Sequence, residues 1–131
     1  VVAMSGTYGY ELDISKMTPE ERKECRKMTE DYRKYQKLIF EGDYYRLSNP
    51  HNCHGIVAWA FVSKDKQEAL VNKEANDAQR YVKIRGLDSD AYYYVEGNDR
   101  MMSGQLLRRV GIPVPGSMKE YEALQFKLVR Q

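Results

Sequence analysis

The segment most informative about the fold is Ile56-Val57-Ala58-Trp59-Ala60-Phe61-Val62, followed by Ser63-Lys64-Asp65-Lys66 and then Glu68-Ala69-Leu70-Val71-Asn72. A short apolar run bounded by a polar turn is typical of a buried strand, and the run after the turn is expected to be its hairpin partner. Val57, Trp59 and Phe61 occupy alternate positions, so we expect them to share one face of a sheet.

Short β-forming runs separated by polar turns continue along the rest of the chain. Further strands are predicted at residues 43–47, 80–85, 91–95 and 121–130. Residues 80–85 alternate cleanly, so Val82 and Ile84 should face inward, whereas residues 97–116 are expected to be turns and loops. Strands this short and this frequent predict a mainly β fold, an antiparallel β-sandwich or barrel.

One long helix precedes these strands. Thr18-Pro19-Glu20-Glu21 is a capping box with proline at the first helical position, and the helix is predicted to continue to about Glu41. Gly42 is expected to end it in the left-handed conformation. Apolar residues recur at steps of three and four and define one face, which must be buried against the sheet or against a domain upstream: Cys25, Met28, Tyr32, Tyr35 and Ile39.

Residues 1–14 carry β-formers and glycines, and Val1–Met4 predicts a short strand followed by a loop. The start has neither the basic region nor the cleavage signal of a signal peptide. Because natural chains rarely begin within a strand, we expect residues 1–41 to finish a fold that begins upstream.

Composition and charge exclude several classes of protein. The 131 residues include 21 basic and 19 acidic side chains, a net charge of +2 that gives no reason to expect nucleic acid or a membrane surface as partner. No run approaches the roughly 20 apolar residues of a membrane span. The two cysteines, Cys25 and Cys53, do not make a disulfide framework, so we expect free thiols in a reducing, cytoplasmic setting.

Several segments resemble the C-terminal region of bacterial α-galactosidases of glycoside hydrolase family 36. The most specific is residues 4–14, MSGTYGYELDI, which with the helix start is similar to the last strand and last helix of that family's catalytic (β/α)8 barrel. Residues 42–47 (GDYYRL), 58–63 (AWAFVS), 84–93 (IRGLDSDAYY) and 111–115 (GIPVP) resemble its C-terminal sheet. In this order the segments cover essentially the whole chain.

The resemblance implies two parts, with residues 1–41 from the end of the barrel and residues 42–131 forming the C-terminal sandwich domain. It implies a parent glycosidase that releases terminal α-linked galactose from melibiose or raffinose-type oligosaccharides with retention, which requires two carboxyl groups about 5 Å apart. In the family both are aspartates on earlier barrel strands, the nucleophile within a Lys-Trp-Asp motif. Trp59, the only tryptophan, is followed by Ala60, so this chain lacks that motif.

We therefore expect the chain alone to be inactive and to support the barrel. No catalytic residue, cofactor or metal is assigned, and the substrate-binding residues stay open. The implied partners are the upstream barrel of the same chain, an α-galactoside and, for the full enzyme, further copies of itself.

Glu11 and Asp13 follow the predicted last barrel strand, at the end where such barrels carry their sites. One hypothesis is a rim role near the galactose pocket. The alternative is that Asp13 ties the loop to the helix, because a carboxylate pair without a nucleophile partner does not define a glycosidase site.

His51, Cys53 and His54 form a compact cluster of residues that can ligate zinc. A zinc site needs further ligands at suitable spacing, and Cys25 is the only other cysteine. The alternative is a loop with incidental histidines.

Aromatic side chains on alternating strands have two interpretations, a sugar-stacking platform or core and cross-strand pairs. Trp59 is expected in the core, and Tyr93 or its neighbours are expected to point outward. The residues concerned are Trp59, Tyr44, Tyr45, Tyr92, Tyr93 and Tyr94. The basic run Arg80, Lys83 and Arg85 predicts a solvated strand face balanced by Asp88, Asp90 and Glu96.

Two alternatives to an enzyme fragment remain open. An independent carbohydrate-binding module would need exposed aromatics on one sheet face. An interaction sandwich of immunoglobulin type would need a Cys…Trp…Cys spacing, which Cys25 in the helix does not supply.

Overall fold

A computed structural model describes residues 1–48, 57–74, 81–114 and 123–131. Its mainly antiparallel sheet with one long helix confirms the predicted fold class. The elements are 3-10 turns Ala3–Ser5 and Ile14–Lys16, helix α1 Pro19–Glu41, strands β1 Asp43–Arg46, β2 Val57–Val62, β3 Glu68–Glu74, β4 Tyr81–Val82, β5 Tyr92–Val95 and β6 Arg100–Ser103, helix α2 Gly104–Arg109, and strands β7 Ile112–Pro113 and β8 Ala123–Arg130.

The main sheet has six strands in the order β1-β2-β3-β8-β5-β6, and β4 pairs with β7 in a second, two-stranded sheet. The predicted hairpin forms, with Val62 opposite Ala69 across β2 and β3. The last strand, β8, lies between β3 and β5, where Glu68 is opposite Val129 and Tyr93 is opposite Arg130. The final residues of the chain therefore join the two halves of the sheet.

Helix α1 begins as the capping box predicts. The Glu21 N–H donates to the Thr18 hydroxyl over 3.2 Å, and the Thr18 N–H donates to the Glu21 carboxylate over 2.8 Å. The hydrogen bonds from Thr18 hold the pKa of the Glu21 carboxyl below its ordinary value. Two acidic residues in the first turn also suit the positive end of the helix dipole.

One face of the sheet packs against α1. Trp59 and Phe61 of β2 share this face, as predicted, whereas Val57 at the start of the strand remains 41% exposed. On the helix the buried side chains lie in its second half, and Met28 in the first half is still 39% exposed. The cluster at this interface consists of Tyr32, Leu38, Ile39, Trp59, Phe61 and Leu70.

The other face of the sheet carries the larger core cluster. Alternate residues of the central strands, such as Val71 and Leu128, meet the two-stranded sheet and α2 there. Val82 and Ile84 are both buried in this cluster, which confirms that they face inward. The main sheet is thus covered on one side by a helix and on the other by a small second layer.

The strand predicted at Val1–Met4 is wrong. Ala3–Ser5 form a 3-10 turn, in which Ser5 N–H donates to the Val2 carbonyl over 2.9 Å. A strand needs a neighbour to complete its hydrogen bonds, and in the described part of the chain no strand pairs with these residues. Local hydrogen bonds therefore satisfy the backbone instead.

The predicted left-handed Gly42 is also wrong, since its φ of −74° and ψ of 163° are extended. Glycine is needed at this position because a side chain would not fit. A Cβ at Gly42 would lie 2.5 Å from the Leu38 carbonyl oxygen and 2.9 Å from that of Val62. Glycine therefore lets the end of α1 approach β2 closely.

The region predicted as turns and loops contains β6, α2 and β7. Its short helix α2 is capped by Ser103, whose hydroxyl accepts from the Leu106 N–H over 3.1 Å. Strand β7 has only two residues and exists through its pairing with β4. Elements this short carry too little periodicity to be found in the sequence.

Candidate functional site

The first eight residues are fixed to the helix and the sheet. The Tyr32 hydroxyl donates to the Gly6 carbonyl over 2.9 Å, and the Trp59 indole N–H donates to the Ser5 hydroxyl over 2.9 Å. Val1, Met4 and Tyr8 pack against the cluster between α1 and the sheet. Because these contacts join distant positions, nothing in the local sequence pattern indicates them.

Beyond this anchor two tyrosines form a hydrogen-bonded pair. Tyr8 donates its hydroxyl hydrogen to the Tyr10 oxygen over 2.5 Å, and Tyr10 donates to the Cys25 carbonyl over 3.3 Å. The rings meet edge to face with centroids 5.3 Å apart. The hydrogen bond with Tyr8, followed by burial, raises the pKa of Tyr10.

Glu11 and Asp13 lie just after this pair. Asp13 caps the second 3-10 turn by accepting from the Ser15 N–H over 3.1 Å and from the Ser15 hydroxyl over 2.6 Å. The Ser15 hydroxyl is the main reason that the pKa of Asp13 is lowered, with Lys16 also close at 3.6 Å. Asp13 thus holds the turn that leads into α1, whereas Glu11 is exposed.

An open groove separates this N-terminal segment from the start of α1. Its volume is about 540 Å³, and its lining includes Leu12, Met17, Cys25 and Met28. Ile14 is 66% exposed, the largest value for any big apolar side chain in the described residues. We call the exposed side chains of Tyr10, Leu12, Ile14 and Met28 the N-terminal surface.

The aromatic residues divide between core and surface. Trp59 is only 6% exposed and packs against α1, so it is not available to stack on a sugar. The prediction leaves open whether Tyr93 or its neighbours point outward, and the structure excludes Tyr93, whose side chain is fully buried. Its hydroxyl accepts from the Asp88 N–H over 3.1 Å and donates to the Lys66 carbonyl over 2.9 Å.

The neighbours of Tyr93 face the other way. Tyr92 is 59% exposed, and Tyr94 donates its hydroxyl hydrogen to Asp99 over 2.5 Å, an interaction that raises its pKa. On β1, Tyr44 is 60% exposed while Tyr45 packs against the larger core cluster.

His51, Cys53 and His54, the cluster weighed as a possible zinc site against a loop with incidental histidines, lie outside the described residues, as does Arg80. Within the described ranges no group of three or more His, Cys, Asp or Glu side chains is placed to hold a metal ion. No helix in that part of the chain is long and apolar enough to span a bilayer.

The basic strand face has a different environment from the one predicted. Lys83 and Arg85 are exposed, as expected. Asp88, however, pairs with Arg130 at 3.2 Å rather than with either of them. The sheet brings the end of β8 beside Asp88, a contact that sequence spacing does not indicate.

The fold and this surface define a β-rich domain, a helix-backed antiparallel sheet with an open apolar groove beside the helix start. Residues 56–128 match the model of the glycosyl hydrolase family 36 C-terminal domain. The chain belongs to that family.

Relatives match nearly the whole length of the chain. It is 45% identical over 131 residues to a bifunctional α-galactosidase/sucrose kinase of Mediterraneibacter gnavus, covering 96% of the chain and 14% of the relative. It is 36% identical over 132 residues to α-galactosidase AgaA of Geobacillus stearothermophilus, covering 97% of the chain and 18% of that enzyme. The chain therefore spans less than a fifth of these relatives.

Comparison with solved structures gives a similar result. The crystal structure of the Geobacillus AgaA matches 99% of the chain with a TM-score of 0.86 and 33% identity, over 18% of its own length. A variant of that enzyme has been crystallised in complex with raffinose, and another with stachyose.

Proposed function

We propose that this chain is the C-terminal portion of an α-galactosidase that hydrolyses terminal α-linked galactose with retention, and that it supports the enzyme's catalytic barrel. The observation that carries the proposal is the N-terminal surface, where apolar side chains are exposed beside an open groove. The relatives are several times longer than this chain, and we propose that the additional residues cover the N-terminal surface.

The energetics favour covering this surface. Full burial of an exposed leucine or isoleucine side chain is worth about 1.5–3 kcal/mol, so covering the 59% of Leu12 and the 66% of Ile14 that are exposed contributes about 1–2 kcal/mol each. The anchoring hydrogen bonds from Tyr32 and Trp59 hold the preceding residues on the sheet. The N-terminal surface is thus presented on a fixed support.

The proposed substrates are raffinose-type oligosaccharides, in line with the ligands bound to the Geobacillus enzyme variants. Retention requires a nucleophile and an acid/base about 5 Å apart, and we place both aspartates in the barrel. The parent is proposed to act in the cytoplasm as a homo-oligomer. Of the two hypotheses for Glu11 and Asp13, we propose the structural one, with Asp13 as the residue that orders the loop before α1.

A first experiment asks whether the 131-residue chain turns over a chromogenic α-galactoside. We expect no release of the chromophore above a buffer control, because the nucleophile and the acid/base lie elsewhere. Turnover that survives repurification would mean that a catalytic pair lies within this chain and would overturn the proposal.

A second experiment tests the N-terminal surface in the parent enzyme with the double variant Leu12→Asp/Ile14→Asp. Charged side chains at a buried domain interface should lower the melting temperature and the α-galactosidase activity together. The matched control is Leu106→Asp/Val110→Asp, which changes one side chain of α2 and one directly after it, 42% and 44% exposed. Equal effects of the two double variants would contradict the interface.

The alternative function is a carbohydrate-binding module, and the exposed Tyr92 on the face of β5 favours it. Calorimetric titration of the chain with raffinose distinguishes a carbohydrate-binding module from a domain that only supports the barrel. Saturable binding that Tyr92→Ala abolishes would support the module, and no heat of binding is expected for the support domain.

A further inference from the structure

A second cleft, of about 630 Å³, lies beside the larger core cluster, on the side of the sheet away from α1. It is bounded by the turn after β2, by the segment Lys83–Leu87 and by α2. Tyr45 and Ile84, which belong to or pack against that cluster, also line it.

Among the described residues, those that line the cleft include four cations and no carboxylate: Lys66, Lys83, Arg85 and Arg108. All four side chains are exposed, and within the described part of the chain none of them forms an ion pair. Two acidic residues lie close to these cations in sequence, and both have other partners. Asp65, next to Lys66, accepts from the Ser63 hydroxyl over 2.6 Å and from the Gln67 N–H over 3.0 Å, and Asp88 is paired with Arg130. In a chain whose net charge is only +2, this is a local concentration of positive charge.

The backbone that carries these cations is firmly held. The Lys66 carbonyl accepts from the buried Tyr93 hydroxyl over 2.9 Å, and the Ile84 N–H donates to the Leu107 carbonyl over 3.0 Å. Gly86, with a φ of 87°, lies against the Tyr45 ring, where a Cβ would come within 2.4 Å of a ring carbon. The turn, the strand segment and α2 therefore keep a fixed relation to one another.

We propose that this cleft binds a small ligand that carries phosphate groups. Its volume falls within the roughly 300–1,000 Å³ of small-molecule sites. Four like charges around one cleft repel one another, and an oxyanion between them removes that repulsion. The guanidinium groups of Arg85 and Arg108 offer the planar pairs of N–H donors that match phosphate oxygens, and the two lysines add point charges.

The test is calorimetric titration of the chain with pyrophosphate, with the ionic strength held constant by sodium chloride. We expect saturable binding with one site per chain. The variant Arg85→Gln/Arg108→Gln should weaken the affinity at least about tenfold, since charge-assisted hydrogen bonds are lost. The control Arg26→Gln/Arg100→Gln removes the same charge from exposed positions on α1 and β6 and should leave the affinity within about twofold.

Binding that fails to saturate, or that falls equally in both double variants, would overturn the proposal. Amide NMR shifts locate the site independently: changes confined to residues 45–47, 66, 83–87 and 104–108 support it, and changes away from the cleft contradict it. If the double arginine variant unfolds, the exposed Lys66→Gln and Lys83→Gln variants replace it. The outcome is independent of the α-galactosidase assignment, because pyrophosphate binding at this cleft requires neither a sugar nor a catalytic barrel.

Discussion

The indole N–H of Trp59 donates a hydrogen bond to the hydroxyl of Ser5 over 2.9 Å, across 54 positions of sequence. The Ser5 hydroxyl in turn donates to the Val1 carbonyl over 3.3 Å. One buried side chain of the central hairpin therefore ties down the first turn of the chain. The contact joins the sheet to the segment that leads to the N-terminal surface.

This hydrogen bond predicts energetic coupling between the two residues. Trp59→Phe and Ser5→Ala should each lower the free energy of unfolding, and the double variant should lose less than the sum by about 1 kcal/mol. The measurement is urea unfolding of the four proteins in a double-mutant cycle. Strict additivity would show that the contact contributes nothing to stability.

Tyr93→Phe should destabilise the chain by about 1–3 kcal/mol, because it leaves the Asp88 N–H and the Lys66 carbonyl without their buried partner. Tyr92→Phe is the matched control, since the Tyr92 side chain is 59% exposed and should tolerate the change. Urea unfolding at pH 8 measures both. If Tyr93→Phe is as stable as the wild type, other groups must form hydrogen bonds with these backbone atoms.

Tyr93 also predicts that the stability of the fold depends on pH in the alkaline range. Burial raises the pKa of Tyr93 above its ordinary value of 10.0, so the folded state retains the phenolic proton at a pH where the unfolded state has lost it. The stability that Tyr93 contributes is present below about pH 10 and declines as the pH rises towards the folded pKa.

Unfolding of the wild type and of Tyr93→Phe at pH 8 and at pH 11 checks this. The stability gap between the two proteins should narrow at the higher pH, because only the wild type carries this titrating group. A gap that widens with pH would contradict the raised pKa.

Gly104→Ala should be strongly destabilising. A Cβ there would lie 1.9 Å from the Asp88 carbonyl oxygen, a backbone atom that cannot move without disturbing the turn before β5. Overpacking of this kind costs about 1–3 kcal/mol or more. Thermal unfolding compares it with Gly9→Ala, where a Cβ meets nothing within 4 Å and no loss is expected.

Lys127→Met tests a charge held between the sheet and α1. The Lys127 ammonium lies 2.5 Å from a Glu68 carboxylate oxygen and 5.9 Å from the Tyr35 ring centroid, and its side chain is only 11% exposed. We expect a loss of about 1 kcal/mol in urea unfolding, because the partner keeps partial solvation. The control Lys64→Met removes the exposed ion pair with Asp43 and should leave stability unchanged within error. If the two variants lose the same amount, the burial of Lys127 has no energetic role.

Local chemistry explains which elements could be predicted. The capping box at Thr18 and Glu21, the helix to Glu41 and the β2–β3 hairpin each rest on residues close in sequence, and each forms as predicted. The turn at Val1–Met4 and the conformation of Gly42 depend on neighbours supplied by distant segments, and both predictions were wrong.

The sequence by itself determined the mainly β fold, the long helix and the resemblance to the family, because alternation, caps and turn residues act over a few positions. Tertiary contacts, in contrast, determine which tyrosines are buried, what holds Ser5 in place and which cations line one cleft. These properties depend on the insertion of β8 between β3 and β5 and on the packing of α1 against β2. Such long-range pairings bring together side chains whose proximity no local pattern encodes.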